Sequence, residues 1–129
     1  MSFASRRYAD VTVATPTGRI NHETCGGLEQ ALAPLVDPAA SPAGLVLDFS
    51  GVDYISSVGL RVLMVTSKSM RARRSRIAIA ALKPVVAEIF TISRFDAVLD
   101  VFPSVDDALA AISPAALAAW RARGSEARG

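Results

Sequence analysis

The chain has 129 residues, of which 51% are hydrophobic and 20% charged, with a net charge of +2; that length fits one domain, its apolar share excludes wholesale disorder, and so small a surplus gives no argument for nucleic acid. One cysteine, Cys25, excludes an internal disulfide. The N-terminus lacks the apolar core of a secretion signal and no apolar run approaches the ~20 residues of a membrane span, so the reading is a cytoplasmic domain that makes no membrane contact.

Val11-Thr12-Val13-Ala14-Thr15 alternates as a half-buried strand does. Pro16-Thr17-Gly18 is expected to turn the chain, and Asn21 to cap a helix carrying Leu28, Leu32 and Leu35. Gly26 and Gly27 weaken that helix, and Pro34 with Pro38 ends it. A loop over Asp37 to Gly44 leads to Leu45-Val46-Leu47-Asp48-Phe49, a short apolar run that reads as a buried central strand. Ser50-Gly51 breaks it.

From Ser57 a helix places Leu60, Leu63, Met64 and Ser67 on one face and ends in the basic stretch Arg71-Ala72-Arg73-Arg74, where cations suit the dipole. Ile77-Ala78-Ile79-Ala80 is a further strand. Pro84 opens a third helix with Val85, Ile89 and Ile92 as its expected apolar stripe. Val98 to Phe102 reads as a last strand, and Ser104 caps a final helix with Asp107 at its third position. Strands alternating with helices imply an α/β fold with a mainly parallel sheet of four to five strands, right-handed crossovers and about four helices. The domain is expected over residues 8–113. Residues 114–129 form a helical extension from Pro114 through Trp120 or a disordered tail, with Arg121 to Gly129 frayed.

The sequence carries no enzymatic constellation. His22 is the sole histidine, and neither a nucleophile elbow nor a Gly-rich phosphate loop occurs. His22 and Cys25 are three residues apart, but two ligands without a third do not make a zinc site, so no metal and no cofactor is expected. Asp106-Asp107 suits a helix start, and Arg71 to Arg76 reads as a solvated helix end without interleaved aromatics.

The informative stretch runs from Asp48 to Leu63: a buried strand, a tight loop, and a helix beginning Ser56-Ser57-Val58-Gly59-Leu60. These hydroxyls stand where backbone N–H groups lack intrahelical partners. A serine there commonly only caps the helix. It is equally a place where a phosphate is locally welcome, adding roughly −1.5 to −2 charges at one surface point.

This stretch resembles the signature of STAS domains, specifically the stand-alone anti-sigma-factor antagonists: an apolar strand (Leu45 to Ser50), then Ile55-Ser56-Ser57-Val58-Gly59-Leu60. Thr17-Gly18-Arg19-Ile20-Asn21, Pro84 to Phe90 and Ser104 to Leu109 are similar to further pieces of the family pattern. The resemblance implies partner switching. The unphosphorylated antagonist binds an anti-sigma factor that is also a GHKL-type serine kinase, phosphorylation releases it, and a PP2C-type phosphatase resets the cycle. It implies Ser57 as phosphoacceptor, with Ser56 as the alternate, and Asn21, Ser56, Ser57, Val58 and Arg61 as partner-binding residues. ATP belongs to the kinase. Two departures stand out: Ser56 occupies a position where many members have Asp, and Asn21 replaces an acidic residue. A second reading is a constitutive soluble STAS subunit of a transport or other signalling complex, without phospho-regulation.

Overall fold

A computed structural model describes residues 2–36 and 44–128; the expected Asp37 to Gly44 loop lies outside them apart from Gly44. The elements in chain order are β1 (Ser2–Tyr8), β2 (Val11–Ile20), α1 (Cys25–Leu32), β3 (Gly44–Asp48), β4 (Gly51–Ile55), α2 (Ser57–Ala72), β5 (Arg76–Ala80), α3 (Pro84–Ile92), β6 (Asp100–Phe102), α4 (Val105–Ile112) and α5 (Pro114–Arg128). Among the described residues this makes six strands and five α-helices, against the four to five strands and about four helices that the sequence pattern implies.

The sheet order is β1-β2-β3-β5-β6, with β4 paired to β2. Only β1 and β2 are antiparallel; the other pairs are parallel, as βαβ alternation requires. Period-two alternation sorts the side chains. Leu45, Leu47, Ile77 and Ile79 face α1, α2 and α3, whereas Val46, Ala78 and Ala80 face α4 and α5. The first core is the larger, with Phe90 edge-on to both Phe49 (6.3 Å) and Phe95 (6.1 Å), pairs worth roughly 0.5–1.5 kcal/mol each beyond burial.

Three expectations are corrected here. Pro16-Thr17-Gly18 does not turn the chain: β2 runs through to Ile20, pairing with β3 up to Ala14 and with β4 from Thr17. Pro16 sits between those two partners, where a missing N–H breaks no parallel ladder bond. Gly18 bends the strand there, with φ at 89° and a register shift to Arg19. The apolar stripe of α3 is also only partly as expected: Ile89 packs against the larger core, but its neighbours on the stripe do not. Val86 and Phe90 are buried, while Val85 and Ile92 are 57% and 75% exposed. The segment is apolar on both candidate faces, and the space between Phe49 and Phe95 selects the one bearing Phe90. Finally, Asn21 is not the N-cap of α1; that residue is Thr24.

The arginine run is tied into the fold. Arg71 donates to the Val98 carbonyl, Arg73 to Met70 Sδ (3.2 Å), and Arg76 to the Ala111 carbonyl (2.7 Å) and Asp100 (3.5 Å). At the other helix start, Ser104 Oγ accepts from the Asp107 amide at 3.1 Å, capping α4 as its sequence implies.

Candidate functional site

The adjacent ends of β2 and β4 create the site. Ile20 pairs with Ile55, and the Ile20 carbonyl accepts from the Ser56 amide at 2.8 Å. The loop after β2, beginning at Asn21, is thereby held beside the start of α2. Its conformation is fixed locally. Asn21 Oδ1 accepts from the amides of Glu23 (3.0 Å) and Thr24 (3.2 Å), an Asx-type turn. Thr24 Oγ1 donates to the Arg19 carbonyl (2.7 Å) and accepts from the Asn21 amide (2.9 Å). The half-buried Asn21 side chain is thus engaged in shaping its own loop.

The two serines differ in their surroundings. Ser56 is the N-cap of α2 in extended conformation, and its Oγ accepts from the Gly59 amide at 3.4 Å. Ser57 is the first helical residue; it is exposed, and its hydroxyl makes no hydrogen bond to another described residue. Gly59 brings this helix start close to the sheet. A Cβ there would stand 2.6 Å from Ile20 Cγ2 and 2.8 Å from Ile55 Cγ1, closer than real Cβ atoms come. The glycine of the serine motif is therefore a packing requirement, independent of any partner.

Val58 and Arg61 lie along the exposed side of α2, lining a groove of about 200 Å³ between α1 and α2 with Cys25, Glu29, Val62, Val65 and Thr66. The structure so brings Asn21, Ser56, Ser57, Val58 and Arg61 to one end of the domain. Sequence spacing did not disclose the Cys25–Glu29 wall, because α1 begins three residues later than Asn21 capping implies. His22 is exposed, and its carbonyl accepts from Cys25 Sγ at 3.4 Å. Among the described residues, no group of three metal-ligating side chains occurs, and no helix is long and apolar enough to cross a membrane.

Comparison with known families decides the kinship: residues 2–108 match the STAS domain model. The chain belongs to the STAS domain family. A Bordetella bronchiseptica STAS relative, BtrV, named as a candidate anti-sigma factor antagonist, is 37% identical over 103 residues, covering 80% of this chain and 87% of that protein. The anti-sigma-F factor antagonist RsfB of Mycobacterium tuberculosis is 29% identical over 102 residues, 79% of this chain and 81% of RsfB. Among solved structures, an anti-sigma factor antagonist from Mycobacterium paratuberculosis is 30% identical with a TM-score of 0.76, covering 86% of this STAS chain and 94% of that one.

Proposed function

We propose that this chain is an anti-sigma factor antagonist that works in the cytoplasm by partner switching, with Ser57 as the phosphoacceptor. In the unphosphorylated state the face carrying Asn21, Ser56, Ser57, Val58 and Arg61 binds an anti-sigma factor that is also a serine kinase of the GHKL type. Transfer of the ATP γ-phosphoryl to Ser57 Oγ, with loss of the hydroxyl proton, ends that binding. A PP2C-type phosphatase restores the hydroxyl.

The observation that carries this reading is the contrast between the two serines. Ser56 Oγ is occupied as the helix cap, while the Ser57 hydroxyl is exposed and unengaged among the described residues. A phosphoryl group at the first helical position is favoured by free amides and the dipole, so it leaves the fold intact. It also places roughly −1.5 to −2 charges in the middle of the binding face, which repels a partner fitted to a neutral hydroxyl.

Intact-mass measurement and peptide mapping of the protein from its own host test the reading. A phosphate on Ser57 is the expected result. A phosphate on Ser56 moves the acceptor by one residue, and no phosphate under any growth condition points to the constitutive STAS subunit instead.

A further inference from the structure

We infer that Arg61 is the internal partner of a phosphoryl group on Ser57, and that this pairing withdraws the guanidinium from the groove between α1 and α2. The inference rests on the reading of Ser57 as acceptor. The two residues are four apart in α2 and therefore share one face of the helix. Helical side chains lean toward the helix N-terminus, so the long Arg61 side chain is carried back over the turn that Ser57 begins. Both residues are exposed.

Among the arginines and lysines at this end of the domain, Arg61 stands apart. The Arg19 guanidinium lies over the Tyr54 ring, 4.6 Å from its centroid, and Lys83 Nζ is 2.5 Å from Asp53 Oδ1. Arg61 forms no ion pair with any described residue. Its planar fork of N–H donors matches phosphate oxygens bidentately, a fit that a point charge does not reproduce.

The consequence reaches beyond the modified atom. Arg61 and Glu29 both line the groove, with Val58, Val62 and Val65 supplying apolar wall. Before modification the groove presents one cation and one carboxylate. After it, the phosphoryl group holds Arg61, and Glu29 is left as the groove's charge. A partner would read phosphorylation twice, at Ser57 and in the changed sign of the adjoining groove.

The test installs phosphoserine at position 57 of the full chain during translation and follows its second ionisation by phosphorus NMR. A paired cation favours the dianion and lowers that pKa. Arg61→Gln is expected to raise it by about half a pH unit, the range of an exposed ion pair. Arg61→Lys should restore part of the shift. Lys68→Gln removes another exposed cation on the same helix, about three turns from Ser57, and should leave the titration unmoved. Equal titration of the parent and Arg61→Gln, or equal shifts from Arg61→Gln and Lys68→Gln, overturns the inference. Because the phosphoserine is installed rather than enzymatically added, this outcome is independent of whether mapping finds Ser57 phosphorylated in the host.

Discussion

Gly59 of α2 lies directly against Ile20 of β2, with room for a hydrogen but not for a methyl group: the 2.6 Å approach to Ile20 Cγ2 is a clash against a side chain with no exposure. Gly59→Ala therefore sets two effects against each other. Alanine gains up to about 1 kcal/mol of helix propensity over glycine. Overpacking a rigid core costs about 1–3 kcal/mol, and neither Ile20 nor Ile55 is a flexible, exposed side chain able to yield. A net loss of about 1–2 kcal/mol is expected, read as a lower urea midpoint at unchanged m-value. A midpoint equal to or above the parent's would mean that α2 lifts from the sheet at little cost.

The two serines should separate in stability as they do in geometry. Ser56→Ala removes the acceptor of the Gly59 amide, and at 3.4 Å that cap belongs to the weaker end of the range, about 0.5–1 kcal/mol. Ser57→Ala removes an exposed hydroxyl without a described partner and should stay within about 0.5 kcal/mol of the parent. Thermal or denaturant unfolding of the two variants checks the order. The reverse order would make Ser57 the structural serine.

The spine of the fold was legible because β3 and β5 are short apolar runs that only a central parallel strand buries on both faces. Ser56 and Ser57 were legible because Ile55-Ser56-Ser57-Val58-Gly59-Leu60 resembles the STAS signature. β1 was not. Its sequence, Ser2 to Tyr8, is mostly polar, since it is an edge strand paired only to β2 and nearly all of it is exposed. β4 was hidden for a related reason: Gly51–Ile55 buries only Val52 and Ile55 and pairs with the far half of a bent β2. That bend at Gly18 looks like a turn in one dimension. The Cys25–Glu29 wall of the groove depends on where α1 begins, and the Asx-type turn at Asn21 imitates an N-cap in sequence.

Helix phase in α2 has a direct test. Leu63 is fully buried in the larger core, while Val65, two residues on, is 60% exposed. Leu63→Ala should cost about 2–5 kcal/mol through lost burial and a residual cavity, and Leu63→Asp should prevent folding. Val65→Ala should change stability by no more than about 0.5 kcal/mol. Comparable losses from both alanines would show that α2 is rotated relative to the sheet.

The proposed switch predicts opposite behaviour from two substitutions at Ser57. Ser57→Ala should bind the kinase partner with parental affinity and remain bound when ATP is added, since it has no oxygen to phosphorylate. Ser57→Asp should bind more weakly, yet better than the phosphorylated parent, because aspartate carries one charge where phosphate carries roughly 1.5 to 2. Calorimetric titration against the anti-sigma factor, with and without ATP, checks both. Loss of binding by Ser57→Ala would turn the hydroxyl into a direct contact and remove the case for a switch.

Acid should loosen the attachment of α5 through Asp106. Its carboxylate accepts from Trp120 Nε1 at 2.9 Å and from Arg121 Nε at 3.2 Å, while Trp120 lies edge-on to Tyr8 at 5.2 Å, joining α4, α5 and β1. Burial acts to raise the carboxyl pKa, but the hydrogen bonds from Arg121 and Trp120 and the charges of Arg121 and Arg123 outweigh it and hold it below the ordinary value. A folded-state pKa below the unfolded one contributes stability at pH above about 3.9, and that contribution fades as the pH falls through the depressed folded value. Asp106→Asn keeps an acceptor for the indole N–H but loses the charge, so near neutrality it should cost less than about 1 kcal/mol, as befits a largely exposed pair. The difference between parent and variant should then close below pH 4, with Trp120 emission reporting the same change. A gap that stays constant down to the acid limit would mean that the carboxylate's charge contributes nothing to holding α5 in place.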